Sequence, residues 1–169
     1  MYTDLFMNMG KSKNLVLFDI DYTLFRTDHF KLTDLAEYSL YDEVSGVLRE
    51  IDKVSTLGIF SEGDVAFQKE KLIKTNIEKF FLNSDVHIVD KKDETLKEII
   101  NKYKNKKIFI VDDKLQVLHA LKMYDSNLFT IWIKRGYYAN KQKPINHFDP
   151  DATVSDLLQA GRIIKDNLL

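Results

Sequence analysis

Two pairs of aspartates are the residues in this sequence best suited to chemistry. Asp19 and Asp21 follow one short apolar run, and Asp112 and Asp113 follow another. Residues i and i+2 of an extended segment point the same way, so Asp19 and Asp21 can face one site. In open α/β sheets, ligands bind beyond the carboxyl ends of the strands. If the two strands are neighbours, three or four carboxylates converge, and all-oxygen ligands of this kind favour Mg²⁺ over zinc or iron.

Each pair also has a plainer interpretation. Acids at a strand end can simply reach solvent or cap the next helix, and Asp113, just before Lys114, suits the capping role. Asp19 is harder to explain in this way, because it interrupts an apolar run and an uncompensated buried carboxylate is costly.

Two further elements fit the same edge of the sheet. Ser61 ends an apolar segment and precedes Glu62-Gly63, where a hydroxyl and loop amides could hold an anion. Lys91 and Lys92 follow the next predicted strand, where an ammonium could reach a phosphate as a point charge. The alternatives are an ordinary turn serine and a solvated run of charges.

The elements that must position these residues alternate between strand and helix, which is typical of an α/β domain with a parallel sheet. Strands are predicted over 14–20, 57–60, 86–89, 107–111 and 128–133. Helices are predicted over 64–76, 93–103, 114–124 and from a Ser155 cap to about 167. The segment of about 25–55 contains no predicted strand and suggests two helices, over 33–40 and 42–53. We therefore expect one domain over 1–169 with a small helical insert.

The composition excludes several classes of protein. The chain carries 25 Lys+Arg against 26 Asp+Glu, a formal net charge of −1, so we expect no nucleic-acid partner. It has no cysteine, which excludes disulfides, thiolate metal sites and a catalytic thiol and suits a reducing compartment. No apolar run approaches the ~20 residues that span a bilayer, and residues 1–14 are unlike a signal peptide. We expect a cytoplasmic protein with no membrane partner.

The order of these elements resembles the haloacid dehalogenase (HAD) superfamily of phosphohydrolases over about 15–136. The resemblance rests on Asp-x-Asp-x-Thr at 19–23, then Ser61, Lys92 and Asp112-Asp113, each after a successive strand. Gln68 and Lys71-Leu72 are also similar to the helix behind the family's second motif. The resemblance implies a three-layer sandwich around a five-stranded, Rossmann-like parallel sheet of order 3-2-1-4-5, with a minimal cap. In that order, the first and fourth strands are neighbours.

The resemblance further implies Mg²⁺-dependent hydrolysis of phosphomonoesters through an aspartyl-phosphate. Asp19 would be the nucleophile, and Asp21 the general acid and then the base. The metal would lie between Asp19, the backbone carbonyl of Asp21 and Asp112, with Asp113 completing its shell. Ser61 and Lys92 would hold the transferring oxygens, and Lys91 fits family members with one residue more.

Other interpretations stay open at this point. Glu62 stands where similar proteins often carry an uncharged Asn, and a catalytically weak binding or regulatory module would keep the same fold. A phosphorylated receiver domain would use Asp90 instead, which leaves Asp19 and Asp21 without a role.

The expected partner is a phosphorylated substrate, either a small molecule or something larger. Because the insert is small, we expect a large substrate or a second copy of the chain to cover the site. The loop 134–143, with Arg135 and Tyr137, is expected to contact the substrate or to be a solvated basic connector.

Overall fold

A parallel sheet forms the centre of the protein in a computed structural model that describes residues 14–168. The strands lie in the order β3-β2-β1-β4-β5-β6, and every neighbouring pair is parallel. The strands are β1 Asn14–Phe18, β2 Thr56–Glu62, β3 Val86–Val89, β4 Lys107–Asp112, β5 Phe129–Ile133 and β6 Ala152–Val154. The predicted order of the first five strands is confirmed. The expectation that residues 1–14 are not a signal peptide concerns a segment that, apart from Asn14, lies outside the described part of the chain.

The prediction of five strands is wrong, because β6 adds a sixth at the edge beside β5. Only Val154 of its three residues is buried. A strand this short, following Pro150, has too few alternating positions to produce a recognisable pattern.

Helices cover both faces of the sheet, as the three-layer prediction requires. In β1, Val16 and Phe18 join one apolar cluster, while Leu15 and Leu17 join the other. This alternation is what a strand between two helical layers produces. The helices are α1 Thr27–Leu32, α2 Val44–Asp52, α3 Val65–Lys74, α4 Lys92–Lys102, α5 Leu115–Tyr124 and α6 Leu157–Asp166.

The insert differs from its prediction. Helix α1 occupies 27–32, and the helix predicted over 33–40 does not form, because Asp34 and Leu35 adopt left-handed backbone angles (φ 52° and 64°) that end α1. The second predicted helix does form as α2, but it packs in the core against α6 rather than over the site. Of the insert, only α1 and the loop after it therefore lie beside the carboxyl ends of the strands.

Helix caps explain where two further helices begin. The Asp64 side chain accepts a hydrogen bond from the Phe67 amide (2.8 Å) and caps the start of α3, the helix predicted over 64–76. For α6, the predicted Ser155 cap is wrong, since Asp156 accepts from the Gln159 amide (2.8 Å).

None of the helices within residues 14–168 has both the length and the apolar character needed to cross a membrane.

Candidate active site

Strands β1 and β4 bring the two aspartate pairs to one edge of the sheet. Phe18 lies opposite Val111 in the parallel register, and the Asp19 amide donates to the Val111 carbonyl (3.0 Å). Asp19 and Asp112 are therefore the first residues beyond the register that pairs β1 with β4. The predicted meeting of these two carboxylates is confirmed.

A buried lysine joins the two carboxylates. The Lys92 Nζ donates to Asp19 Oδ1 and to Asp112 Oδ2, each at 2.6 Å. Ser61 Oγ, at the end of the neighbouring strand β2, also donates to Asp19 Oδ1 (3.0 Å). Lys91 instead is exposed and pairs with Glu94 (3.1 Å). Of the two candidate lysines, the structure brings Lys92 into the site.

Burial dominates the electrostatics of this cluster. Desolvation raises the pKa of Asp19 to about 6, although Lys92 opposes the shift, while Asp112 adds to it. Burial alone would lower the pKa of Lys92, but the charges of Asp112 and Asp19 outweigh that effect and raise it. Lys92 therefore stays charged, and Asp19 is largely ionised at neutral pH.

Asp113 is the carboxylate that this arrangement leaves uncompensated. Its Oδ2 is buried and has no hydrogen-bond partner, and it does not cap α5, because Asp112 Oδ1 accepts the Lys114 amide instead (2.8 Å). Burial raises the pKa of Asp113 to about 8, and the nearby charges of Asp19 and Asp112 add to the shift. A buried, unpaired acid beside two others is the kind of defect that a bound cation removes.

Asp21 lies in a different environment. Lys71 Nζ contacts both of its carboxylate oxygens (2.7 and 2.8 Å), and Gln68 and Thr27 each donate one further hydrogen bond (2.7 and 2.6 Å). Burial would raise the pKa of Asp21, but the charge of Lys71 and these hydrogen bonds outweigh it and lower the pKa. The side chain is therefore fixed in its ionised form.

Three of these supporting residues have roles that the sequence interpretation did not assign. Lys71 is buried although it lies on a helix with a solvent face, and Gln68 is buried one turn before it. A lysine and a glutamine three positions apart share one face of a helix, and the apolar Leu72 beside them marks that face as inward. This was the available signal. No pattern in the sequence indicates the role of Thr27, because the tertiary fold is what brings Thr27 beside Asp21.

Glu62 and Asp90 also receive definite places. Glu62 Oε2 accepts the Lys92 amide (3.1 Å), and Glu62 Oε1 lies 3.6 Å from Lys114 Nζ. The acid at the unusual position thus helps to hold the start of α4. Asp90 is exposed after β3, whereas Asp19, Asp112 and Asp113 are buried, which counts against the receiver-domain alternative.

The oxygen atoms around Asp113 are donors of the kind that Mg²⁺ binds in proteins. Among residues 14–168, no three acidic or histidine side chains already form a metal cluster, and the Asp21 carboxylate is occupied by Lys71. Mg²⁺ does not need such a cage, because it usually takes one or two carboxylates, waters and substrate phosphate oxygens. The unpartnered Asp113 Oδ2 lies beside Asp19 and Asp112, and Asp113 supplies the anionic oxygen that the ion prefers once it releases its proton. These residues fit Mg²⁺.

A cleft of about 350 Å³ opens over these acids. Asp19, Asp21 and Asp113 line its floor, while Phe30 and Lys31 of α1 form part of its wall. The cleft is large enough for a small phosphomonoester.

The loop after β5 closes one side of the cleft through a glycine. Gly136 has a φ of 75°, and a Cβ there would lie 2.1 Å from the Tyr22 ring. Only glycine permits this backbone angle together with so close an approach. The loop is thereby packed directly onto the turn that carries Asp21.

Arg135 has a structural role rather than the expected contact with substrate. Its guanidinium donates to the Tyr22 and Thr23 carbonyls and to Glu43, and it stacks on Tyr41 at 3.6 Å. These bonds hold the turn after β1 against α2, so the expectation for Arg135 is wrong. Tyr137 is exposed, and its hydroxyl accepts a hydrogen bond from Lys141.

Solved structures share this architecture. A haloacid dehalogenase-like hydrolase from Burkholderia xenovorans matches with a TM-score of 0.75 at 21% identity, over 93% of this chain and 99% of that chain. The HAD-hydrolase YfnB from Bacillus subtilis, in a structure bound to magnesium, gives a TM-score of 0.71 at 12% identity, over 91% and 99%. A predicted phosphoglycolate phosphatase from Haemophilus somnus gives 0.69 at 14%, over 91% and 99%. No protein-family model and no curated protein matches the sequence.

These likenesses show the fold. The chain has the three-layer fold of haloacid dehalogenase-like hydrolases, and the resemblance drawn from Asp19, Asp21, Ser61, Lys92 and Asp112 is confirmed at that level.

Proposed function

We propose that the protein is a Mg²⁺-dependent phosphomonoester hydrolase that acts through an aspartyl-phosphate on Asp19. The observation that carries this proposal is the asymmetry of the Asp19 carboxylate at the floor of the cleft. Oδ1 is held by Ser61 and Lys92, whereas Oδ2 makes no hydrogen bond within residues 14–168. One oxygen is thus anchored and the other is free to attack, which is the arrangement that a nucleophile needs.

In the first step, Asp19 Oδ2 attacks phosphorus and the bond from phosphorus to the ester oxygen breaks. Asp21, which is ionised in the free protein, takes the proton of a monoanionic phosphate ester and gives it to the leaving oxygen, and the phosphoryl group remains on Asp19. In the second step, a water gives one proton to Asp21 and attacks phosphorus, the bond to Asp19 breaks, and inorganic phosphate leaves with that proton. Both steps use one nucleophile and one proton carrier, so the protein returns to its starting state.

Ser61 and Lys92 support the transferring oxygens in this scheme. Lys92 has three N–H donors, of which Asp19 and Asp112 take two, so one remains for phosphate. The Ser61 hydroxyl donates its single hydrogen to the same carboxylate in the free protein, and it supplies a neutral donor to phosphate by rotating that O–H away from Asp19. Both are buried, where such donors are worth more than in water.

Asp19, Asp112 and Asp113 would hold Mg²⁺, with the backbone carbonyl of Asp21. When bound, the ion offsets the repulsion between the carboxylates and the anionic substrate. The unpartnered oxygen of Asp113 supports this assignment.

The test is turnover by the purified protein of p-nitrophenyl phosphate and of a panel of phosphorylated metabolites with Mg²⁺. We expect activity that excess EDTA removes and added Mg²⁺ restores. Activity that persists in EDTA would contradict the metal requirement. No turnover of any substrate, together with binding of phosphorylated compounds, would favour the regulatory-module alternative.

A further inference from the structure

We propose that the leaving group of the substrate carries a second anionic group, a phosphate or a carboxylate, which binds in a lysine-lined groove beside the catalytic cleft. This inference rests on the proposed hydrolase function and specifies its substrate class. This second site, the lysine groove, is lined by Lys114, Lys141 and Lys143 among other residues.

The lysine groove joins the catalytic cleft. It has a volume of about 650 Å³, and it shares Glu62, Lys114 and Tyr138 with the 350 Å³ cleft over Asp19. One molecule can therefore occupy both. A substrate that filled only the cleft would leave the larger cavity to solvent, whereas an extended one would use both volumes.

The charges in the lysine groove are not balanced by the protein. Glu62 is its single carboxylate, and that acid already accepts the Lys92 amide and faces Lys114. Lys143 is exposed and forms no ion pair in the part of the chain that the structure describes. Lys141 donates to the Tyr137 hydroxyl and lies 3.7 Å from that ring's centroid, so its contacts are with a neutral group. The ammonium groups of Lys141 and Lys143 therefore remain available to bind an anionic ligand.

The lysine groove is held in register with the catalytic acids. The Gln142 side chain donates to the Asp113 carbonyl (2.7 Å) and accepts from the Leu115 amide (2.7 Å). Lys141 and Lys143 flank Gln142 in sequence, so these two bonds hold them at a set distance from Asp113. A ligand that bridges the two sites therefore has a preferred length.

The boundary between cleft and lysine groove is aromatic. Tyr138 packs edge-to-face on Tyr22 (5.5 Å) and on Tyr137 (5.3 Å) and is partly exposed to both cavities. The part of the substrate between its two anions would cross this ring, which suits an apolar or planar linker. Lysines act as point charges without the paired geometry of arginine, so they accept either a phosphate or a carboxylate.

The experiment compares α,ω-alkanediol bisphosphates of increasing length with alkyl monophosphates and ω-phosphoalkanoates of the same length. We expect kcat/KM to favour the doubly anionic compounds at one preferred length, by about tenfold or more. The bisphosphate and phosphoalkanoate arms distinguish a second phosphate from a carboxylate. The preference should fall as ionic strength rises, because exposed charges are screened.

Matched variants test whether Lys141 and Lys143 cause the preference for doubly anionic compounds. The double variant Lys141→Gln, Lys143→Gln should lose most of the preference, about threefold for each lysine. Lys104→Gln is the control, since Lys104 is exposed in the loop before β4, at the opposite edge of the sheet. It should keep the preference in full.

The outcomes separate this inference from the proposed function. Monophosphate turnover with no preference at any length would overturn the inference and leave the hydrolase proposal intact. A preference that survives in the double variant would also overturn it. If no compound is turned over, calorimetry with alkane bisphosphonates and monophosphonates decides. Tighter bisphosphonate binding that requires both lysines would support the lysine groove and refute the hydrolase, whereas equal binding would refute both.

Discussion

Asp19 and Asp21 lie two residues apart on one turn, yet the protein places them in opposite environments. Asp19 belongs to the half of the site built on the sheet, where burial and Asp112 raise its pKa in spite of Lys92. Asp21 belongs to the half built on α1 and α3, where Lys71, Gln68 and Thr27 hold its pKa low. One carboxylate keeps a free oxygen over the cleft, and the other has every oxygen bonded.

The comparison shows how one Asp-x-Asp segment can supply two chemical roles. A pair of titratable groups whose pKa values are pushed apart by their surroundings is a common mark of divided acid–base work. Here, the proposed division follows the layers of the fold, because β1 and β4 position the proposed nucleophile and the helices on one face position the proposed proton carrier. The variants Asp19→Asn and Asp113→Asn change the half of the site on the sheet. The variants Asp21→Asn and Lys71→Met change the helical half.

Asp19→Asn should have the largest effect, because it removes the proposed nucleophile. We expect kcat to fall by at least about 10³-fold with no loss of folding. The matched control is Asp90→Asn, which changes an exposed aspartate after β3 and should match wild type. A value within tenfold of wild type for Asp19→Asn would remove the nucleophile assignment, and a large loss in Asp90→Asn would revive the receiver-domain alternative.

Asp21→Asn should reduce the rate by about 10²–10⁴-fold for alkyl phosphates, since both of their steps need a proton carrier. The loss should be smaller in the first step for p-nitrophenyl phosphate, whose leaving group departs without protonation. Rapid-quench measurement of the two steps on both substrates checks this difference. Steady-state kinetics equal to wild type on alkyl phosphates would refute the role of Asp21.

Lys71→Met should reduce alkyl phosphate turnover by about 10- to 100-fold, because Asp21 loses the group that fixes and ionises it. Breaking this mostly buried pair should also lower the free energy of unfolding by about 3 kcal/mol. Lys74→Met provides the control on the same helix, since Lys74 forms an exposed pair with Glu70 at 3.6 Å. If the two variants behave alike in activity and in chemical denaturation, Lys71 has no special role.

Asp113→Asn should stabilise the metal-free protein, by an amount that depends on pH. Folded Asp113 holds its proton up to a pKa of about 8, whereas the unfolded group releases it near 3.8. The wild type therefore loses stability as pH rises between these values, and asparagine does not. We expect the gain to grow from pH 5 to pH 8, to about 1–3 kcal/mol.

Urea unfolding in EDTA measures this gain, with Asp90→Asn as the control. Added Mg²⁺ should stabilise the wild type more than Asp113→Asn, because the variant has lost a proposed ligand. A gain that is the same at pH 5 and pH 8 would contradict the raised pKa of Asp113.

The half of the site on the sheet was largely predictable from the sequence. The apolar runs before Asp19 and Asp112 predict buried strands, and acids at their ends must meet if those strands are neighbours. These inferences depend on residues close together in the chain. Ser61 and Lys92 follow the same rule, since Ser61 is the next-to-last residue of β2 and Lys92 begins α4 shortly after β3.

The helical half was not predictable to the same degree. The Asp21–Lys71 pair joins residues 50 positions apart. Which residue pairs with Asp21 depends on how α3 is placed on the sheet. The insert was misjudged because the end of α1 is set by left-handed residues at Asp34 and Leu35, whose residue types do not require that conformation. Arg135 was misassigned because a basic loop residue predicts a solvent or substrate contact, whereas its partners are carbonyls of a distant turn.

The most direct test of the central claim is to identify where the phosphoryl group resides during turnover. The Asp21→Asn variant, mixed with p-nitrophenyl phosphate and Mg²⁺ and quenched in acid, should carry a phosphoryl adduct on the peptide that contains Asp19. Borohydride reduces acyl phosphates to alcohols, so reduction of that adduct should convert Asp19 to homoserine. An adduct on another residue, or turnover with no adduct in the variant or the wild type, would contradict the division of roles between Asp19 and Asp21.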